Sequence, residues 1–378
     1  MHEQRLQSLD AFRGLTIAAM LVVNNPGDWG HVYAPLQHAA WDGWTLTDCI
    51  FPFFVFISGI SMVLSLQRRA LAGADKLQLW GQATRRGLLI MAIGLALNFI
   101  PALDPSTLRF PGVLQRLGLC TVLAAPIVLY FAWRAQVAWL LGLLLIYTGL
   151  QSWVPVPDAQ GVWHTGSWLA GQDTGAWLDR ALMDGHLWRT SKTWDPEGLL
   201  STVPAVASQL AGVLAGHWLV VQRAPMEKTV WLLVAGLGLV WLGPIVGAWS
   251  MPINKALWTP AYVLLMAGWA CAGLGVLHWL LDAMPSVMWR TRAAAWARPA
   301  VIFGMNALFL FALSGLVAKM LGLIKVLPGQ SLKVWMVEGL GAWGLAPINN
   351  SLLFALLFMG CFYAVAWAMW RKRWFIRV

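Results

Sequence analysis

The residues whose types and spacing allow chemistry are concentrated in one short connection near the start of the chain. An apolar run ends at Asn24, a polar and aromatic loop follows, and a second apolar run starts at Cys49. The loop and its borders hold two histidines and two aspartates, which are His31, His38, Asp42 and Asp48. Ionisable groups held next to membrane spans indicate a functional site. A polar loop at the membrane surface, without chemistry, is the alternative.

His38 is the leading candidate for a catalytic base. A neutral imidazole has an ordinary pKa of about 6.5 and can therefore take a proton from an amine or hydroxyl at ambient pH. A positioned general base typically contributes about 10²–10⁴-fold to a rate. Asp42 and Asp48 are close enough in sequence to orient the ring or to bind a polar substrate. An interfacial histidine without a catalytic role is the alternative, and His31 is the second candidate.

The start of the second apolar run has the spacing of a helix cap. Thr45 and Asp48 stand three positions apart, as the two partners of a capping pair do. A purely structural role for Asp48 is therefore an alternative to a functional one. Ser58 and Gly59 follow in the same run, and small residues there let another helix or a ligand approach the backbone.

Further polar residues interrupt the later apolar runs. Arg116, preceded by Gln115, lies about one turn into a run, where a charge near the bilayer centre costs about 2.5–3.5 kcal/mol. It should face an anionic ligand such as a phosphate, or a buried carboxylate. Similar intrusions, which together indicate a polar cavity between helices, are Asn24, Asn254, Lys255, Trp258, Thr259 and Asn306. Asp10 and Arg13, on one helix face, are expected to pair with each other.

The composition predicts that membrane-spanning helices position these residues. The chain has 378 residues, of which 59% are hydrophobic and 26 are tryptophan, and only 11% are charged. This predicts an all-α polytopic membrane protein forming a single domain over residues 1–378, without a separate soluble domain. Using segments of about 20 residues, we predict about ten spans, roughly at 11–25, 46–66, 85–100, 112–131, 137–154, 198–221, 230–249, 257–281, 299–321 and 349–370.

Basic residues predict the orientation of these spans. Most lysines and arginines outside the spans lie in loops on the same side as the termini, for example Arg68, Arg69 and Arg371. Because cytoplasmic loops are enriched in basic residues, both termini are predicted to be cytoplasmic. The loop with His38 then lies on the opposite side, together with the longest connection, at about 155–197, which is expected to fold as a cap. The net charge of +10 is explained by this topology, so no nucleic-acid partner is expected.

The motifs resemble, in their order, the signature blocks of the transmembrane heparan-α-glucosaminide N-acetyltransferase family. They read RLQSLDAFRGLTIAAMLVVNN, QHAAWDGWTLTDCIFPFFVFISG, PGVLQRLGLC, DPEGLLSTVPAVASQLAGVLAG, NKALWTPAYVLL and FGMNALFLF. The likeness is closest to the short bacterial, NagX-like members and covers nearly the whole chain. It implies transfer of an acetyl group from cytoplasmic acetyl-CoA to the amino group of a terminal glucosamine across the membrane.

The resemblance also implies site residues. The active-site histidine of the family matches His38, and the asparagine at the end of its first span matches Asn24. We therefore expect a site with catalytic His38, Asn24 and Asp48, acetyl-CoA contacts at Arg116, Gln115 and Ser58, and substrate contacts at Asp42, Lys255, Trp258 and Asn306. No metal is expected. A multi-pass protein of the bacterial inner membrane, working as a homodimer with the His38 loop in the periplasm, is the expected setting.

The sequence departs from the lysosomal members of the family. It lacks their additional amino-terminal luminal domain, so a heparan sulfate substrate is not expected. Asn25-Pro26-Gly27-Asp28 stands where the family has a glycine-rich turn, which is expected to reshape the acceptor pocket. The expected acceptor is a glucosamine-like periplasmic amino sugar from chitin or cell-wall breakdown.

Two other functions remain open at this stage. Spans around a polar cavity would also serve a permease for amino sugars, which needs neither acetyl-CoA nor His38. The same chemistry could instead acetylate a hydroxyl of a surface glycan. Sequence also leaves open whether His38 carries the acetyl group covalently or only deprotonates the amine.

Overall fold

The computed structural model describes residues 6–100 and 103–376, and most of these residues are helical. Their α-helices are α1 (Gln7–Asn24), α2 (Leu46–Met62), α3 (Arg68–Leu71), α4 (Lys76–Phe99), α5 (Val113–Tyr130), α6 (Trp133–Trp153), α7 (Thr174–Met183), α8 (Thr202–Val220), α9 (Pro225–Trp249), α10 (Pro260–His278), α11 (Val287–Gly304), α12 (Ala307–Leu323), α13 (Leu332–Gly341) and α14 (Pro347–Arg371). Turns of π-helix follow α2 and α10, at Val63–Gln67 and Trp279–Ala283.

Two short antiparallel pairs of strands complete the described structure. Strand β1 (Val156–Pro157) pairs with β2 (Trp163–His164), and β3 (Lys325–Leu327) pairs with β4 (Gln330–Ser331). Both hairpins lie in connections between helices. The predicted all-α class is confirmed.

Seven helical segments of the described chain are long and apolar enough to cross a membrane, and an eighth span results if α11 and α12 count as one broken span. The helices α1 and α4 form where the sequence predicts the first and third spans, but they lie outside this apolar set. The predicted single span 299–321 is wrong in detail, because the chain bends by 64° between α11 and α12. Arg5 and Arg377, which contribute to the predicted orientation, lie outside the described residues.

The contacts of the chain divide into two compact units. The first unit takes in the described residues of Met1–His38, Thr45–Ile50 and Val276–Val378, and the second takes in Ala39–Trp44 and Phe51–Gly275. A single domain over 1–378 therefore stays a prediction, and the two units are described separately.

The first unit is built on close contact between α1 and α11. A Cβ atom at Gly14 would lie 1.7 Å from the Ala300 carbonyl oxygen, and one at Gly304 would lie 2.1 Å from that of Asp10. Only glycine permits this approach. Asp10 and Arg13 form the expected pair, with Nη1 and Oδ1 3.1 Å apart.

The second unit contains a similarly close pair, α2 and α8. A Cβ atom at Gly59 would lie 2.0 Å from the Gln209 carbonyl oxygen, and one at Gly212 would lie 2.0 Å from that of Phe56. The small residues after Ser58 thus serve helix packing, as one of the two interpretations of the sequence predicted. The apolar core of this unit includes Tyr147, Met251 and Leu257, with Trp41 and Trp168 packed against it.

The connection 155–197 folds as an ordered segment within the second unit. It contains the first hairpin and α7, which Asp173 caps by accepting a 3.0 Å hydrogen bond from the Ala176 N–H. The end of this connection contacts Arg109, which lies in the loop between α4 and α5. Arg109 Nε lies 2.8 Å from Asp195 Oδ2, and Arg109 Nη2 lies 2.5 Å from Glu197 Oε2. Burial acts to lower the pKa of Arg109, but the two carboxylates outweigh it and raise that pKa.

Candidate active site

His38 and Asp48 form a hydrogen-bonded pair in the first unit. The His38 Nδ1 atom lies 2.7 Å from Asp48 Oδ1. The two side chains differ in environment, because that of His38 is 50% exposed and that of Asp48 is 1% exposed. A buried carboxylate therefore holds an accessible imidazole in place.

The start of α2 fixes the carboxylate. Asp48 lies in the first turn of that helix, where the helix dipole stabilises a negative charge. Its Oδ2 atom accepts a 3.0 Å hydrogen bond from the Thr45 N–H and lies 3.1 Å from the Thr45 hydroxyl. The predicted capping pair is thus present. Oδ2 of Asp48 caps the helix, and Oδ1 contacts His38. A structural role and a contact with the candidate base are therefore compatible in one side chain.

This arrangement determines the tautomer of the His38 ring. An ionised carboxylate only accepts hydrogen bonds, so the proton of a neutral His38 resides on Nδ1 and is donated to Asp48. The lone pair then resides on Nε2. A ring held in this tautomer by a buried carboxylate has the geometry of a general base.

A second imidazole and carboxylate meet in the same loop. His31 Nδ1 lies 2.7 Å from Asp28 Oδ2, but both side chains are about half exposed, at 52% and 51%. The hydrogen bond from His31 lowers the pKa of Asp28 below its ordinary value. Asp28 also belongs to the turn that departs from the family pattern, and its N–H donates to the Ser351 hydroxyl at 2.9 Å.

Asn24 is the last residue of α1 and its side chain is exposed. Its neighbour Asn25 is buried, and the Asn25 side-chain amide donates to the Leu21 carbonyl at 2.8 Å. Asn25 therefore serves the end of the helix, whereas Asn24 presents its amide at the surface of the first unit.

Asp42 and Lys255 belong to the second unit. Asp42 Oδ1 accepts a 3.1 Å hydrogen bond from the side chain of Asn254, and the Gly43 N–H donates to the Ile253 carbonyl at 2.7 Å. Burial acts to raise the pKa of Glu197, but the charges of Arg109, Arg116 and Lys255 hold it below its usual value. Asp42 thus joins two polar segments that the sequence analysis had treated as separate.

Arg116 is buried in α5, with 2% exposure. Its Nη2 donates to the Gly198 carbonyl at 3.0 Å and to the Ser201 hydroxyl. Its guanidinium carbon lies 5.0 Å from the centre of the Trp258 ring. The structure thus brings an expected acetyl-CoA contact against an expected substrate contact, and carbonyl and hydroxyl oxygens partner the charge.

Polar contacts continue from Trp258 along α8. The Trp258 indole N–H donates to the Ser208 hydroxyl at 2.9 Å, and the next residue, Gln209, donates through Nε2 to the Ser58 hydroxyl at 2.6 Å. We give the name polar row to Arg116, Trp258, Ser208, Gln209 and Ser58, together with Gln115, which precedes Arg116 in α5 and lies against Gly94 and Gly112. Ser208 and Gln209 were not predicted as site residues, although they are an adjacent polar pair within an apolar run.

The polar row contains buried atoms that lack a hydrogen-bond partner among the described residues. They are Gln115 Nε2, Arg116 Nε, Arg116 Nη1 and Gln209 Oε1. An unsatisfied buried polar group costs about 1–3 kcal/mol, so each such group needs an explanation. Amide and guanidinium donors and an amide oxygen acceptor have the chemistry to hold a ligand that carries phosphate, amide or carbonyl groups.

Asn306 lies elsewhere, in the first unit, where α11 gives way to α12. Its side-chain nitrogen donates to the Trp374 carbonyl at 3.1 Å, and its side-chain oxygen accepts from the Ile376 N–H at 2.9 Å. Both ends of the Asn306 amide thus hold the backbone that follows α14, and substrate binding by Asn306 stays a prediction.

The described fold and site define a polytopic helical membrane protein that presents a histidine paired with a buried aspartate where a span begins. Residues 5–175 match the family model described as heparan-alpha-glucosaminide N-acetyltransferase, catalytic. The match includes both members of the His38 and Asp48 pair.

Two curated relatives carry the same description. The chain is 31% identical over 328 residues to the heparan-alpha-glucosaminide N-acetyltransferase of Homo sapiens, covering 74% of this chain and 49% of that protein. It is 30% identical over 329 residues to that of Mus musculus, with the same coverage. The chain thus spans about half the length of these relatives. It belongs to the heparan-α-glucosaminide N-acetyltransferase family.

Proposed function

We propose that the protein transfers an acetyl group from acetyl-CoA to the amino group of a glucosamine-like amino sugar. The observation that carries the proposal is the pair of His38 and Asp48, whose carboxylate is buried and whose imidazole is accessible. Family membership supports the type of reaction, since the relatives are named heparan-alpha-glucosaminide N-acetyltransferases.

The proposed role of His38 is that of a general base in direct transfer. Its Nε2 takes a proton from the amine as the amine nitrogen bonds to the acetyl carbon, and it returns that proton to the departing sulfur. One C–N bond forms, one C–S bond breaks, and the products are the N-acetylated sugar and free CoA. Asp48 holds the ring and stabilises the transient imidazolium. The exposed amide of Asn24 is proposed to donate a hydrogen bond to the carbonyl oxygen as it gains charge.

The polar row is proposed to hold acetyl-CoA, which supplies the thioester that is cleaved. Its unsatisfied donors on Gln115 and Arg116 suit phosphate or pantetheine oxygens. The Gln209 side-chain oxygen, beside Ser58, suits an amide N–H of the pantetheine arm. These pairings follow from hydrogen-bonding type.

The proposed setting is the inner membrane of a bacterium, with the termini in the cytoplasm and the His38 loop in the periplasm. It is supported by the distribution of lysines and arginines and by the apolar helices. In this orientation the acetyl donor comes from the cytoplasm and the acceptor from the periplasm, and connection 155–197 lies over the acceptor side as a cap. Assembly as a homodimer stays a prediction from the resemblance.

Purified protein in detergent, given acetyl-CoA labelled in its acetyl group together with glucosamine, tests the proposal. The expected result is labelled N-acetylglucosamine that survives alkaline hydroxylamine, because an amide resists this reagent whereas an ester is cleaved. Labelled product lost in hydroxylamine would establish an O-acetyltransferase instead. Uptake of unmodified sugar by proteoliposomes without acetyl-CoA, with no labelled product from a panel of amino sugars, would establish a permease.

A further inference from the structure

The first unit carries a surface rich in arginine, lysine and tryptophan that the proposed chemistry does not use. The segments 287–304 and 362–376, which supply it, contain no aspartate or glutamate. We call it the basic surface and define it by six cationic residues of α11 and the end of α14, which are Arg290, Arg292, Arg298, Arg371, Lys372 and Arg373. All but Arg290 are exposed. Among the described residues none of the six forms an ion pair, so acidic side chains do not balance this charge.

The basic surface lies at one end of the first unit, where an apolar helix ends. The helices α1 and α14 pack against each other, and the Gly27 N–H, just after α1, donates to the Ser351 carbonyl in the first turn of α14 at 3.1 Å. The start of α1 and the end of α14 therefore share the opposite end. Because α14 is long and apolar enough to cross a membrane, its basic end is at the level of lipid headgroups.

The helix α11 is held at this same end on both sides. Before it, Asp282 accepts hydrogen bonds from the Gln7 and Ser8 N–H groups at 3.2 and 3.1 Å, at the start of α1. Its last residue, Gly304, lies against Asp10 in the first turn of α1. The helix has 18 residues, which makes it about 27 Å long, and the chain then bends by 64° into α12. Thus α11 runs along this end of the unit.

Indole rings orient the cations of the basic surface. The guanidinium carbon of Arg298 lies 4.7 Å from the centre of the Trp370 ring, a contact that joins α11 to α14. That of Arg371 lies 4.9 Å from the centre of the Trp367 ring. A guanidinium stacked in this way keeps the N–H groups at its edge for a second partner. Those groups match the oxygens of a phosphate in pairs.

Large apolar side chains stand among the cations. Trp289, Trp296 and Trp374 are each more than half exposed, and Trp296 reaches 87%. A soluble anion would cover the cations and leave these rings in water. The headgroup layer of a bilayer suits both, because phosphates meet basic residues there and indoles reach the border of the acyl chains.

We propose that the basic surface binds the headgroups of anionic phospholipids, with α11 lying in the headgroup layer. Phosphate oxygens accept hydrogen bonds from the stacked guanidinium groups, and the glycerol and upper acyl segments of the lipid cover the exposed indoles. None of the six cationic residues belongs to the polar row or contacts His38. The proposal is therefore independent of the acetyltransferase reaction.

Native mass spectrometry of the purified protein in detergent tests the proposal, because it resolves each bound lipid. Phosphatidylglycerol and phosphatidylcholine with the same acyl chains are titrated separately. One basic residue near an anionic lipid surface typically contributes about fivefold in affinity. We expect wild type to bind phosphatidylglycerol at least fivefold more tightly than phosphatidylcholine. The triple variant Arg298→Gln, Arg371→Gln and Lys372→Gln should lower this preference below twofold.

A second triple variant is the matched control. Arg68→Gln, Arg69→Gln and Arg134→Gln together remove the same charge from the second unit, and they should retain at least half of the wild-type preference. Gel filtration shows whether each variant is folded. If the variant of the basic surface aggregates, Arg292→Gln with Lys372→Gln replaces it, since these two exposed side chains stack on exposed indoles.

The remaining outcomes would overturn the proposal. Equal affinity of wild type for the two lipids would do so, as would a preference that the variant of the basic surface retains. An equal loss in the control would show that net charge alone causes the preference. Displacement of phosphatidylglycerol by inorganic phosphate or by CoA at equal concentration would identify a site for soluble phosphates instead.

Discussion

Three histidines of the described chain contact an aspartate at nearly the same distance, yet the three pairs differ in what surrounds the carboxylate. The separations are 2.7 Å for His38 and Asp48, 2.7 Å for His31 and Asp28, and 2.8 Å for His164 and Asp158. The aspartate side chains are 1%, 51% and 11% exposed in the same order. Distance alone therefore does not distinguish a candidate catalytic pair.

The difference lies in what holds the carboxylate. Asp48 is fixed by the start of α2 and by Thr45, so it keeps His38 in one tautomer and orientation. Asp158 accepts hydrogen bonds from the Gln160 and Val162 N–H groups and closes the first hairpin, and Asp28 stands in solvent. The pair of His38 and Asp48 therefore joins a buried carboxylate at the start of a helix to a half-exposed imidazole.

The largest expected effect separates His38 from His31. His38→Ala should lower the rate of acetyl transfer by at least a hundredfold, since a positioned base contributes about 10²–10⁴-fold. His31→Ala, which removes an imidazole of similar exposure from the same loop, should lower it less than threefold. Initial rates with labelled acetyl-CoA measure both. Equal losses in the two variants would remove the distinction between the pairs.

The next effect concerns the carboxylates themselves. Asp48→Asn places an amide beside His38, and its NH₂ group favours the tautomer with the proton on Nε2, which removes the base. We expect kcat to fall at least tenfold, while the amide oxygen still accepts from the Thr45 N–H. Asp28→Asn should leave kcat within twofold of wild type. If Asp48→Asn were as active as wild type, Asp48 would be only a helix cap.

A third effect compares Asp179, a buried carboxylate without an ion pair among the described residues, with the three aspartates that contact a histidine. Burial raises the pKa of Asp179 from 3.8 to about 7; Asp195 and Asp173 add to the rise, and Arg116 and the Leu199 N–H oppose it. Because the pKa of Asp179 is higher in the folded protein than in the unfolded chain, it stabilises the fold at pH values below 3.8. This stability is lost as the pH rises from 3.8 through the folded-state pKa of about 7. The loss is on the order of 4 kcal/mol. Asp179→Asn should therefore raise the melting temperature by several degrees at pH 8 and little at pH 4.5.

Thermal unfolding in detergent at the two pH values measures this effect, with Asp184→Asn as the control. A difference between wild type and Asp179→Asn that is the same at both pH values would mean that the charge of Asp179 does not cause it.

The smallest effect belongs to the half-exposed carboxylate of Asp28. Hydrogen bonds from His31 and His164 lower the pKa values of Asp28 and Asp158. A lowered pKa stabilises the protein above the unfolded value, and this stability is lost as pH falls through the folded value. Asp28→Asn should thus lower the melting temperature by no more than about one degree at pH 7 and not at all near pH 2.5, because the pair of His31 and Asp28 is half exposed and solvent screens it. A larger shift at pH 7 would show that this contact is stronger than its exposure implies.

The sequence predicts features that depend on neighbouring residues. The Thr45 and Asp48 cap needs only a spacing of three, and the apolar runs mark where helices form, so both were available from the chain alone. The bend between α11 and α12 was not predicted, because an apolar run indicates that a segment can lie in lipid but does not indicate whether its helix is straight.

Contacts between distant segments could not be predicted in the same way. Gln209 meets Ser58 across 151 positions, and Asn306 binds backbone 68 and 70 positions further on. A polar residue in an apolar run indicates that a partner exists, but it does not identify the partner. Asn306 was therefore recognised as unusual, but its backbone partners in this structure were not predicted.

Chemical rescue of His38→Ala tests the central claim most directly. The acetyl-transfer rate of the variant is measured with labelled acetyl-CoA and glucosamine at increasing concentrations of free imidazole, and wild type and His31→Ala are measured beside it. If His38 is the base, imidazole enters the space left by its half-exposed side chain, and the rate of His38→Ala rises with imidazole concentration while the other two rates do not. A His38→Ala variant with the full wild-type rate before any imidazole is added would contradict the account.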